Sequence, residues 1–132
     1  MAELLAEAHA RGVPVAVVSN TLCAEPHRKF LDRAGLGGRF AAQLYSDEQR
    51  VRKPDPEIAR RAVAAVRADP AGCWFVGDTR SRDMLVARRA GLGAAVLMHS
   101  LRVEEQPYPD GSEPDAEVSD PHQLRALLAT CW

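Results

Sequence analysis

Two aspartates five residues apart, a lysine set before a proline and a hydroxyl ending an apolar run are the residues here with chemistry to offer. The aspartates lie in Cys73–Gly91, CWFVGDTRSRDMLVARRAG. Its short apolar run breaks at Gly77, Asp78 follows at once, and Asp83 opens a segment with helical spacing at Met84, Leu85, Ala87 and Ala90, closed by Gly91. This pattern predicts a buried strand, a tight loop carrying two carboxylates, and a helix. In an open α/β sheet, ligands bind at the carboxyl end of such a strand. Magnesium wants hard oxygen ligands and keeps several waters, so one or two carboxylates on a rigid loop suffice. The competing use of the same residues is structural: Asp78 could cap the helix, and Asp83 could complement its dipole.

Lys53 stands in Arg52-Lys53-Pro54-Asp55-Pro56. Pro54 disfavours helical geometry at Lys53, which holds the lysine on a stiff, extended segment. An ammonium fixed in this way can neutralise a transferring phosphoryl group; otherwise it is a surface lysine in a polar loop. Ser19-Asn20-Thr21 follows the run VPVAVV. A hydroxyl there, with loop N–H groups and a following helix, can cradle a phosphate oxygen, or it can simply cap that helix. Taken alone, the serine favours the structural alternative, and the lysine and the aspartate pair favour neither. Three in this order, on alternating strands, favour chemistry.

The elements that must position these residues follow from pattern. Ala2 to Ala10 is amphipathic, with Gly12 as its stop. Val13 to Val18 predicts a strand covered on both faces. A helix over about Glu25 to Ala34 is closed by Gly35, and Ala41 to Tyr45 is a short strand. Ser46 to Pro54 is polar loop. Asp55-Pro56-Glu57 starts a helix that runs to about Ala68. After the strand, loop and helix of Cys73–Gly91 comes another buried strand, Gly93 to Met98. His99 to Asp115 is a Pro- and acid-rich loop, Ala116–Val118 a short strand, and Asp120-Pro121 the start of a final helix. The alternation implies parallel strands joined by right-handed helical crossovers. The expectation is one domain over residues 1–132, a three-layer, Rossmann-like α/β fold.

Composition narrows the class. With 132 residues the chain is the size of one domain. A net charge of −1 gives no field favouring nucleic acid or an anionic membrane. Cys23, Cys73 and Cys131 are far apart, which fits a reducing compartment with neither a disulfide framework nor a zinc cluster. No apolar run approaches the ~20 residues that span a bilayer, and the acidic N-terminus lacks the features of a signal peptide. The expected location is the cytoplasm. Trp74 and Trp132 are read as core or surface aromatics, Cys23 as a small packing residue, and His99 as a structural histidine.

These residues carry a resemblance to the C-terminal part of haloacid dehalogenase (HAD) superfamily hydrolases, over nearly the whole chain. VAVVSN resembles the second motif of that superfamily, which implies that Ser19, with Asn20 beside it, binds phosphate. VRKPDPEI resembles the third, with Lys53 as the charge-neutralising catalytic lysine. FVGDTRSRD resembles the fourth, with Asp78 as ligand to Mg²⁺ and Asp83 as its supporting carboxylate. The family's frequent Asn before the last Asp is Arg82 here.

The first motif, an apolar strand ending in Asp-x-Asp whose first aspartate becomes an aspartyl phosphate, does not occur in this sequence. Asp32 is the earliest aspartate, and Asp110, Asp115 and Asp120 have no preceding apolar strand. No residue can be assigned as nucleophile. In the family the missing strand lies at the centre of the sheet, between VPVAVV and CWFV, so the expectation is a core truncated before Met1. Any cap domain would also precede Met1, because Asn20 to Lys53 is too short to hold one. An open apolar edge invites pairing with another chain, so the chain is expected to be unstable or self-associating, as a homo-oligomer or with a complementing segment that supplies the strand. The resemblance implies a magnesium-dependent phosphohydrolase acting on a small phosphorylated metabolite, inactive as these 132 residues alone. The alternative is a non-catalytic phosphate- or metal-binding remnant, or a partner-dependent assembly module.

Overall fold

The computed structural model describes residues 1–131, which divide into two compact units, the first Met1–Ala68 and the second beginning at Asp69. Trp132 itself lies outside the described residues.

The first unit contains α1 (Ala2–Ala10), β1 (Ala16–Ser19), α2 (Ala24–Arg33), β2 (Ala42–Tyr45), α3 (Ser46–Gln49) and α4 (Pro56–Ala65). Beyond the end of α1 stands Gly12, whose φ of 70° suits a residue without a Cβ. The Val13 N–H then turns back to the Ala8 carbonyl at 2.8 Å. Val13 is therefore part of the helix stop, Pro14 has no N–H to give, and β1 begins at Ala16 rather than at Val13. β1 pairs in parallel with β2, Ala16 opposite Ala42 through Ser19 opposite Tyr45. Asp55 caps α4 by accepting the Glu57 N–H at 3.0 Å, with Pro56 in the first turn. Ile58, Ala59, Ala62 and Val63 recur on one buried face of α4, which packs against β1 and β2. Full burial of Ile58 contributes about 1.5–3 kcal/mol. The polar stretch expected to be loop from Ser46 to Pro54 instead begins with the helical turn α3, because Ser46 and Asp47 bond to the segment after β1, as described below.

The second unit contains β3 (Trp74–Gly77), a π-helical turn (Arg80–Met84) continuing into α5 (Leu85–Arg89), β4 (Ala94–Met98), β5 (Ala116–Val118) and α6 (Pro121–Ala129). Its sheet has the order β3-β4-β5, all parallel. Met84, Ala87 and Ala95 form a buried cluster against which Phe75, Leu92 and Leu97 pack. Asp120 caps α6 by accepting the Gln123 N–H at 2.9 Å. Asp115 accepts the Ala95 N–H at 2.8 Å and pairs with Arg88 at 2.9 Å. Both aspartates therefore have structural work.

The parallel sheets and alternating helices are those of an α/β, Rossmann-like fold. The expectation that β1 would be covered on both faces does not hold. All four residues of β1, and all four of β3, are only partly buried. Among the described residues each of these strands has one strand neighbour, β2 for β1 and β4 for β3.

Candidate functional site

At the carboxyl end of β3 the chain makes a turn that Thr79 and Asp83 close from both sides. The Thr79 hydroxyl accepts the Asp83 N–H at 3.2 Å, while Asp83 Oδ2 accepts the Thr79 N–H at 3.1 Å. This is the reciprocity of a capping box, with its two members four positions apart instead of three. The wider turn explains the spacing: the Met84 N–H reaches the Thr79 carbonyl at 3.2 Å, a π-type bond across five residues. Asp83 Oδ2 also accepts the Asp78 N–H at 3.0 Å and the Thr79 hydroxyl at 2.9 Å. Asp83 is buried, and its carboxylate clamps the backbone on which Asp78 stands.

Helix capping by Thr79 leaves the Asp78 side chain out of that role. Asp78 Oδ2 accepts the Ser100 hydroxyl at 2.9 Å, and Arg102 Nε lies 3.6 Å from the same oxygen. The Asp78 side chain remains 38% exposed. It borders an open depression of ≈ 420 Å³, lined also by Gly77, Met98, His99, Ser119 and Asp120, where β3, β4 and β5 end. His99 pairs at the surface with Glu117 at 3.3 Å.

Among the described residues no three His, Cys, Asp or Glu side chains are grouped to hold a metal. That donor set does not suit zinc, which takes three or four protein ligands. One partly exposed carboxylate on a clamped loop does fit magnesium, which completes its shell with waters and substrate phosphate oxygens.

In the first unit, Asn20 joins its loop to that of Lys53. Its side-chain oxygen accepts the Lys53 N–H at 2.8 Å, and its side-chain amide donates to the Lys53 carbonyl at 3.0 Å. Ser19 ends β1, and the N-cap residue of α2, Cys23, makes no side-chain cap of its own. The loop after β1 and the start of α2 are tied down from α3 instead. Ser46 accepts the Thr21 N–H at 2.8 Å and donates to the Thr21 carbonyl at 3.0 Å, and Asp47 accepts the Ala24 N–H at 3.0 Å. Asn20 and Lys53 thus come together in the first unit, with Ser19 next to Asn20 in the chain, and Asp78 and Asp83 come together in the second.

Sequence reasoning missed Ser46, Asp47, Thr79, Ser100 and Glu104. Ser46-Asp47-Glu48 directly after a strand is a helix-start signal that could have been read. Thr79 was concealed by the four-residue spacing. Ser100 and Glu104 act across more than twenty positions, and no local pattern marks them.

Comparison with known proteins identifies the class. Residues 1–91 match the haloacid dehalogenase-like hydrolase family model, and the chain belongs to that family. It is 37% identical over 116 residues to a phosphoserine phosphatase of Thermus thermophilus, covering 88% of this chain and 45% of that protein. It is 27% identical over 113 residues to a glyceraldehyde 3-phosphate phosphatase of Methanopyrus kandleri, covering 86% of this chain and 48% of that one. A HAD phosphatase structure from Thermococcus onnurineus shares the fold, with a TM-score of 0.79 at 23% identity, covering 96% of this chain and 55% of that one. The chain spans about half the length of the curated relatives it matches. Among the described residues no helix is long and apolar enough to cross a membrane.

Proposed function

We propose that residues 1–132 form the core portion of a magnesium-dependent phosphohydrolase that acts on a small phosphorylated metabolite. The observation that carries this reading is the freedom of Asp78 from helix capping. Thr79 and Asp83 close the turn, and a partly exposed carboxylate is left at a strand end on an immobilised backbone. The names of the relatives, both phosphatases of small metabolites, support the substrate class.

On this reading Ser19 and the Lys53 ammonium hold the phosphoryl oxygens, and Asn20 sets the distance between their loops through the Lys53 backbone. Asp78 is the carboxylate for Mg²⁺, and Asp83 orients it through the main chain. Bound magnesium would supply charge neutralisation at the phosphoryl group, which is most of what such a transfer requires. The nucleophilic aspartate, which would form the aspartyl phosphate, is not among these 132 residues. A complementing segment or chain would bring it, together with a strand for β1 and β3. Residues 1–132 would then be one core domain, working in the cytoplasm.

A magnesium-dependent assay with p-nitrophenyl phosphate tests the assignment. The 132-residue chain alone should give no turnover, and a segment bearing an apolar strand and Asp-x-Asp, taken from a relative, should restore it. Turnover by the chain alone that is lost in Asp78→Asn would show that the nucleophile is present after all.

A second reading, a non-catalytic or partner-dependent assembly module, draws on the partial burial of β1 and β3. It would be favoured if the complementing segment raised the melting temperature without producing activity.

A further inference from the structure

The segment after β4 passes beside the Asp78 loop and touches it at alternate residues. Ser100 and Arg102 meet the Asp78 carboxylate, and Glu104 meets the main chain of the next two residues but one. Leu101 and Val103, between them, are fully exposed, at 101% and 91%. The segment is thus a strap, bent at Leu101, with one face on the loop.

Glu104 is its fixed point. One carboxylate oxygen accepts the Arg80 N–H at 2.5 Å; the other accepts the Ser81 N–H at 3.0 Å and the Ser81 hydroxyl. Those two N–H groups belong to the first helical turn, whose donors have no partner within the helix. A carboxylate from more than twenty residues away satisfies them, and hydrogen bonds to a charged acceptor are the strong kind. The grip is returned in the other direction. Arg80 Nε donates to the Ser112 carbonyl at 3.2 Å, and its guanidinium lies 4.0 Å above the Tyr108 ring. Because Ser100 donates to Asp78 Oδ2, the direction of the Asp78 carboxylate depends on where the strap sits.

We propose that Glu104 is a positioning residue for Asp78, holding the strap that aims the carboxylate at its cation. This rests on Asp78 being the cation ligand, and the test separates the two claims. Mn²⁺, read by its electron paramagnetic resonance signal, serves as the probe on the 132-residue chain, with thermal melting followed alongside. Asp78→Asn should abolish binding. Glu104→Ala should weaken it about tenfold, as loss of a partner behind a metal ligand does. Glu104→Gln, which keeps one acceptor, should fall between. Ser81→Ala removes one grip of the carboxylate without changing charge, and should weaken binding in the same direction even if Glu104→Ala fails to fold. Faster amide exchange at Arg80 and Ser81 should accompany the loss in both Glu104 variants.

If Asp78→Asn abolishes binding while the Glu104 and Ser81 variants bind as tightly as the parent, the positioning role is overturned and the Asp78 reading stands. Lower melting temperatures with unchanged Mn²⁺ affinity would also overturn it, since Glu104 would then be merely structural. If Asp78→Asn binds as the parent does, the Asp78 reading falls and the proposal falls with it.

Discussion

Asn20 and Lys53, 33 residues apart, are bound to each other in both directions: the asparagine side chain accepts from the lysine N–H and donates to the lysine carbonyl. The side chain does for the Lys53 backbone what a neighbouring strand would do, and it fixes the lysine loop to the end of β1. Asn20→Ala leaves the Lys53 N–H without this acceptor in a partly buried place. It should cost about 1–2 kcal/mol in urea denaturation and speed amide exchange at Lys53. Asn20→Asp keeps the acceptor and loses the donor, so its cost should be smaller.

Gly77 is held to its identity by Asp83. A Cβ at position 77 would lie 2.3 Å from the Asp83 carboxyl carbon and 2.4 Å from its Oδ2. Gly77→Ala must therefore push aside the carboxylate that clamps Asp78 and Thr79. It should destabilise by about 1–3 kcal/mol, the range for overpacking, with faster amide exchange at Asp78 and Thr79 than in β3. Ordinary exchange at those two amides would refute the clamp.

Acid should loosen the junction of β4 and β5. Arg88 beside Asp115, helped by the Ala95 N–H, holds the Asp115 carboxyl below the usual carboxylate range. A lowered folded pKa means that the contribution is fully present above the unfolded value, near 3.9, and is lost as pH falls through the folded one. Both side chains are substantially exposed, so solvent screening limits the ion pair to well under about 1 kcal/mol. Asp115→Asn should accordingly be less stable than the parent at pH 7, with the gap closing as pH falls below the unfolded value near 3.9 and through the lowered folded one. A gap that persists at pH 2 would assign the effect to side-chain shape.

Arg67 follows α4 with φ of 56°, a left-handed position that favours glycine. The Ala68 N–H returns to the Val63 carbonyl at 3.2 Å, so the helix stop has the usual glycine-type closure without the glycine. Arg67→Gly removes a left-handed cost of about 1–2 kcal/mol against an entropic cost of roughly 0.5–1 kcal/mol for glycine, so stability should rise modestly, seen as a higher urea midpoint with an unchanged slope.

Much of the fold was legible because its punctuation is local. Asp55-Pro56 and Asp120-Pro121 start helices as expected, with each aspartate accepting an N–H of the first turn. Gly91 stops α5 in the left-handed conformation. Ala116–Val118 is a strand with the expected bounds. Illegible were the features made by contact at a distance. α3 follows from the bonding of Ser46 and Asp47 to residues 21 and 24. The late start of β1 follows from the return of the Val13 N–H to α1. The loop from His99 to Asp115 shows no apolar period in sequence, yet Glu104, Ser112 and Tyr108 fasten it to the Arg80 turn. Asp78, Lys53, Asn20 and Asp83 stood out in the sequence; Thr79, Ser100 and Glu104, which bond to the Asp78 loop, did not.

The span of the Asn20–Lys53 bridge bears on the order in which the protein acquires its parts. Thr79 and Asp83 meet across four residues, whereas Asn20 and Lys53 must close a chain of 33. The difference in closure entropy is about 2 kcal/mol. The aspartate turn can therefore form early, from its own neighbourhood, while the lysine loop must await the docking of α2 and β2. During renaturation the carboxylate end should mature before the ammonium end.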